Sequence, residues 1–226
     1  MKKFGKKTSS TKMSSTQATI KSESSINLSD LFWEGQMKKG DLIFSKGKSK
    51  NNNSFPYGYW GHVGFAYDDD QAYESHPKTE ILVSQDQNGG VGKRFYEKWQ
   101  EAYNYMAVAK YKYSYEKGYQ DTSTVVEYAK NAYGGQSYPL KSEFLDVLFN
   151  VDGFRYKDKG IVCSQLVTLA FEEAPGWGVI VDPAGELCGG MFVFPDDIYF
   201  GRQYIGYDSP MNFEVVAIDS GATPQE

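Results

Sequence analysis

Two short segments, about a hundred residues apart, constrain this chain more than any other feature: GHVGF, from Gly61 to Phe65, and CSQLV, from Cys163 to Val167. The first puts a histidine into a glycine-flanked, β-branched stretch that reads as a strand. The second puts a cysteine where an apolar helix begins. A fold that uses both must bring a sheet strand against a helix N-terminus. The chain has only two histidines and two cysteines, so the candidate pairs are few.

A thiol at a helix N-terminus is a recurrent nucleophile, and a strand histidine is its usual base. In the first turn, the Cys163 sulfur feels the positive end of the helix dipole. A nearby imidazolium lowers the thiol further from its free value of about 8.5. The Cys163 N–H is then available to an oxyanion, an interaction worth roughly 3–4 kcal/mol in enzymes that use one. The competing reading of Cys163 is a small buried core residue. For His62, the glycines on both sides are expected to leave the ring uncrowded, as close approach of a substrate requires.

Glu74 is the expected third member. If Asp68 to Asp70 form a three-residue hairpin loop, Tyr67 faces Gln71, and residues 62 and 74 share a face as diagonal neighbours about 7–8 Å apart. The carboxylate then orients the imidazole and favours its protonated form. A one-residue slip would send Glu74 to the opposite face. His76, directly opposite His62 in the same register, is the alternative orienting group, and a solvated strand carboxylate is the plain alternative for Glu74.

Composition narrows the function classes. Hydrophobic content of 40% and aromatic content of 16% are ample for a core, and 18 tyrosines suit half-buried sheet faces or groove walls. The net charge is −5, but six lysines and one acid give residues 1–25 a charge of +5, leaving −5 − 5 = −10 for the remainder. An acidic body argues against nucleic acid as a partner. No stretch approaches the roughly 18 apolar residues that span a bilayer. After MKK no apolar segment follows, so no ordinary signal peptide is read; a cytoplasmic location is the default expectation, with an exported protein lacking its leader as the alternative. DDDQAYE lacks the glycine and glutamate of a calcium loop, and no zinc spacing or phosphate-binding glycine loop is present, so neither metal nor cofactor is expected.

Residues 1–25 read as a disordered, lysine-rich polar tail, 26–219 as one domain, and 220–226 as a polar C-terminal tail. Within the domain, INLSDLFWEGQMKKG predicts a short helix stopped by Gly40. Strands are predicted at DLIF (41–44), HVGFAY (62–67), AYES (72–75), ILVSQ, YMAVAKYKY (105–113), VIV, MFVF and FEVVAI. Helices are predicted from Thr122 to Tyr133, with Thr124 and Glu127 as a capping box, from Leu140 to Phe149, and from Cys163 to Ala174. Strand runs with segregated helices indicate the α+β class.

At these residues the chain resembles the circularly permuted papain-like amidases of the NlpC superfamily, the YiiX/YaeF-like group. The ordered series is GDLIF (Gly40 to Phe44), GHVGF, YES around Glu74, GGQSYP (Gly134 to Pro139), CSQLV and FPDDI (Phe194 to Ile198), covering roughly Lys38 to Tyr199. The resemblance implies a permuted papain-like fold, a small antiparallel sheet or barrel packed on the helix that carries the cysteine. It implies Cys163 as nucleophile, His62 as base and Glu74 as the orienting group. The group usually has an acid where Gln165 stands and an aromatic where Val162 stands, and the insert from Lys46 to Tyr59 is expected to line the cleft. The expected function is a cysteine hydrolase, an amidase or peptidase acting through a thioacyl-enzyme on cell-wall-type peptides or other amide bonds. Two alternatives stay open: a lipid-directed acyltransferase or thioesterase with the same Cys–His pair, and a non-catalytic binding module in which Cys163 and Cys188 form a disulfide.

Overall fold

A computed structural model of the chain describes residues 26–47, 59–76, 89–112, 119–138, 160–178, 195–199 and 213–222. The expectations for residues 1–25, ILVSQ, Leu140 to Phe149, VIV, MFVF, Cys188 and most of the 46–59 insert lie outside them.

The chain enters through α1 (Leu28–Trp33), and Asn27 caps it by accepting from the amides of Ser29 at 3.1 Å and Asp30 at 3.3 Å. The helix ends well before Gly40. Gly35 adopts φ 72°, a left-handed conformation that side-chain-bearing residues avoid, and so terminates it after six residues. The remaining described elements are β1 (Leu42–Gly47), β2 (His62–Ala66), β3 (Gln71–His76), β4 (Gly90–Phe95), α2 (Tyr96–Ala102), β5 (Tyr103–Tyr111), α3 (Ser123–Tyr133), α4 (Cys163–Glu173), α5 (Pro195–Tyr199) and β6 (Phe213–Ile218).

The six strands form one antiparallel sheet in the order β4-β3-β2-β1-β5-β6. With its helices it makes an α+β architecture. Both faces of the sheet are covered, which is why all five residues of β2 are buried and its side chains do not alternate apolar with polar. Leu42, Phe44, Val63, Phe65 and Ala109 pack on α3 and α4, where Val126, Leu166, Ala170 and Phe171 complete the larger core. On the other face Ile43, Ala66, Ala72 and Val108 meet Leu28, Met37, Tyr96 and Trp99. Each fully buried Leu, Val or Phe in these layers contributes about 1.5–3 kcal/mol.

Two local expectations need correction. The Thr124–Glu127 capping box does not form. Thr124 Oγ1 instead accepts from the Trp177 indole at 3.0 Å, while Glu127 pairs with Lys39 and with the Tyr67 hydroxyl. Also, β4 and α2 went unrecognised in the sequence, because GVGKRF offers a lone valine between glycines and YEKWQEA is barely two turns long. At the far end, Asp219 accepts from the amides of Ile26 at 2.5 Å and Met106 at 2.7 Å. This carboxylate ties the two ends of the described chain to β5.

Candidate active site

The β2–β3 hairpin has the three-residue loop Asp68 to Asp70. The Tyr67 amide donates to the Gln71 carbonyl at 2.9 Å, and the ladder continues through Ala66↔Ala72 and Phe65↔Tyr73. In that register His62 and Glu74 share a face, and His62 Nε2 is hydrogen-bonded to Glu74 Oε2. Both residues are buried, His62 at 4% and Glu74 at 0% exposure. The Nε2 contact leaves Nδ1 as the ring atom for the thiol. His76 ends β3 opposite Gly90 on β4, no β2–β3 pairing extends to it, and its side chain lies outside the description.

Cys163 is the first residue of α4 and is a free, buried thiol. Its helix packs on the sheet face opposite the one that bears His62, so the two meet only because the sheet opens between them. The paired register of β2 with β3 stops at Phe65↔Tyr73. Just past that point, the Val63 amide donates to the Cys163 sulfur, as does the Ser164 amide. The segment leading to α4 is held in the same opening: Ser75 Oγ donates to the Ile161 carbonyl, and the Ile161 amide donates to Ser137 at 3.0 Å. Gln165, fully buried, closes the helix start by accepting from the Val162 amide at 3.2 Å.

Burial alone raises the Cys163 thiol, because a thiolate is poorly solvated there. The charge of His62, its hydrogen bond and the two amides outweigh burial, and the thiol is held below its ordinary range. The charge of Cys163 in turn pushes up two neighbouring phenols that burial has already raised, Tyr103 and Tyr138.

The surroundings of His62 correct one expectation. The ring is not uncrowded. Tyr103 stacks on it at 5.2 Å between centroids and 12° between planes, and Trp99 leans on it at 5.0 Å. Gly64 does not open space for a substrate either. A Cβ there would lie 2.8 Å from Trp99 and 3.0 Å from the Glu74 Cβ. The glycine is required so that the tryptophan and the glutamate can close on the histidine.

Arg94 escaped sequence reasoning altogether. It lies on β4 opposite Ala72, and its Nε donates to Glu74 Oε1. It is 8% exposed, and burial lowers its guanidinium to about 10, which leaves it charged at neutral pH. The only sequence signal was a charged residue two positions past a glycine on a polar strand, a pattern shared by countless solvated arginines.

Upstream of β2, Asp196 of α5 accepts from the amides of Tyr59 and Trp60, the latter at 2.7 Å. The FPDDI segment therefore anchors the backbone that leads to His62. Among the described residues, the one group of carboxylates close enough to share a cation is Asp68, Asp69 and Asp70, in the hairpin loop. Those three are half-buried or exposed turn residues, away from the thiol. No protein-family model and no curated protein gives a significant match to this chain.

Proposed function

We propose that the protein is a cysteine hydrolase of the amidase or peptidase type, working through a thioacyl-enzyme. The observation that carries this reading is the hydrogen-bonded series from the Cys163 thiol through His62 to Glu74, with the thiol at a helix N-terminus. The resemblance to permuted papain-like amidases adds the substrate class, an amide bond such as those of cell-wall-type peptides.

The roles follow from the chemistry. His62 takes the Cys163 proton, and the thiolate attacks the carbonyl carbon to form a C–S bond. The oxyanion is received by the Cys163 N–H, which as the first amide of α4 has no intrahelical acceptor. The tetrahedral adduct collapses with loss of the C–N bond, and His62 returns the proton to the departing amine. Water, deprotonated by His62, then attacks the thioester, releasing the acid and restoring the thiol. Glu74 keeps the imidazole in one orientation and favours its charged form throughout.

The test is the pH dependence of iodoacetamide alkylation at Cys163, read by peptide mass spectrometry in wild type and His62→Ala. Labelling well below pH 8 that slows by about tenfold or more in the variant supports the pair, since each unit of pKa is a factor of ten in thiolate below the midpoint. Equal labelling in both proteins removes the enzyme reading. Acyl transfer from p-nitrophenyl acetate to Cys163, absent in Cys163→Ala, would then establish the covalent step. Relative rates on amide and long-chain ester substrates separate an amidase from a lipid-directed acyltransferase or thioesterase.

A further inference from the structure

His62, Glu74 and Arg94 lie on three adjacent strands, β2, β3 and β4, and are joined side chain to side chain across them. Each Glu74 oxygen has a different partner: Oε2 faces the imidazole, and Oε1 faces the guanidinium. Glu74 has no exposure at all. A buried carboxylate must be matched by positive charge or take up a proton itself.

The two partners differ in kind. His62 carries charge in the ion pair, where its ring has taken the Cys163 proton, and none as a neutral imidazole. Arg94 is positive at neutral pH whichever form the thiol and imidazole take. In the resting form with a neutral thiol and a neutral imidazole, Arg94 is the charge that balances Glu74. In the form with thiolate and imidazolium, the four groups alternate in sign and their sum is zero.

The geometry points to Arg94 as the positioning residue of this site, holding Glu74 ionised and setting the pH at which the Cys163–His62 ion pair forms. This rests on the proposed reading of Cys163 and His62 as a working pair. Without Arg94 the thiolate, imidazolium and carboxylate together carry a net buried negative charge. The site then retains one more proton, on the sulfur, until a higher pH. Removing Glu74 instead has the opposite sign, because it leaves surplus positive charge beside the thiolate. Among the described residues, the other titratable groups facing Cys163 and His62 are Tyr103, at the head of β5, and Tyr138, after α3. Both are phenols that burial keeps neutral, so neither substitutes for the guanidinium.

The experiment measures the alkylation midpoint of Cys163 in wild type, Arg94→Met, Arg94→Lys, Glu74→Gln, the double variant and His62→Ala, with iodoacetamide as the probe. Arg94→Met is expected to raise the midpoint by about one unit, a tenfold slower labelling below it. Arg94→Lys keeps the charge and the wild-type midpoint to within a few tenths of a unit. Glu74→Gln lowers the midpoint, and adding Arg94→Met to it brings the midpoint back up. That last comparison has no buried carboxylate, so it stays readable if Arg94→Met alone does not fold. A residue that merely fills space would leave every midpoint in place. A wild-type midpoint in Arg94→Met, or no difference between Glu74→Gln and the double variant, overturns the inference about Arg94 and leaves the thiol reading standing. Wild-type labelling in His62→Ala overturns both.

Discussion

The Val63 amide is hydrogen-bonded to the Cys163 sulfur, just beyond the last paired residues of β2 and β3. A strand amide normally finds its acceptor on the neighbouring strand. Here a helix brings the acceptor from the opposite face of the sheet. The thiol thus completes the sheet's own hydrogen bonding, and the histidine next in sequence is brought to it by the same backbone.

Gly64→Ala is expected to be costly out of proportion to one methyl group. The added Cβ meets Trp99, the Glu74 Cβ and the Tyr73 carbonyl inside normal contact distance. Overpacking of this kind costs about 1–3 kcal/mol, or roughly 2–4 °C of melting temperature per kcal/mol in a chain of this size. Thermal denaturation checks it, and an unchanged melting temperature would show that Trp99 is free to move aside.

Ser75→Ala removes the hydroxyl that donates to the Ile161 carbonyl, two residues before the thiol. Serine and isoleucine are both fully buried, so the carbonyl loses that donor without gaining water. A loss of about 1–3 kcal/mol is expected in urea unfolding. Labelling of Cys163 is expected to slow as well, since the start of α4 is no longer pinned in the opening of the sheet. Wild-type stability with wild-type labelling would rule this anchoring out.

Asp41 gives a pH-dependent stability with a defined sign. Burial raises its carboxyl from 3.8 to about 6, against the Lys38 amide at 2.7 Å and the Lys110 ammonium at 3.9 Å. A folded value above the unfolded one means that the native state binds the proton more tightly. The stability it contributes is therefore complete below about pH 4 and lost as the pH rises through about 6. Asp41→Asn keeps an oxygen for the Lys38 amide and does not ionise. It is expected to be more stable than wild type at pH 7–8, by on the order of 2–3 kcal/mol, with the difference vanishing near pH 4. Melting temperatures of the two proteins across that range decide it; a gap that widens toward acid would contradict the assignment.

Asp196→Ala leaves the amides of Tyr59 and Trp60 without their carboxylate acceptor. The expected cost is about 1–3 kcal/mol for a buried amide so exposed, with Asp196→Asn milder because its carbonyl oxygen still accepts. Equal stability of the two variants would mean that charge, not hydrogen bonding, holds this backbone.

Much of the site was legible because its parts obey counting rules. The relation of His62 to Glu74 follows from the length of one hairpin loop, and Cys163 was marked by its place at the start of an apolar helix. Arg94 was not legible, since β4 lacks the apolar alternation that announces a strand, and its pairing with β3 spans a segment whose length says nothing about register. The crowding of His62 was misread for a related reason. A glycine beside a histidine signals close approach, but only the folded chain shows that Trp99, from the unrecognised helix α2, is what approaches. The early end of α1 is a third case: Gly35 and Gly40 are equivalent as stop signals in sequence, and backbone conformation distinguishes them.

Arg94, Glu74 and His62 are separated along the chain by twenty and twelve residues, while Cys163 lies about a hundred residues beyond His62. The His62, Glu74 and Arg94 part of the site closes across short sequence separations, and Cys163 arrives across a much longer one. On the function proposed above, an incompletely folded chain carries an unremarkable thiol, and full reactivity emerges only when α4 seats in the sheet. Rapid labelling of Cys163 thus doubles as a chemical reporter that folding is finished.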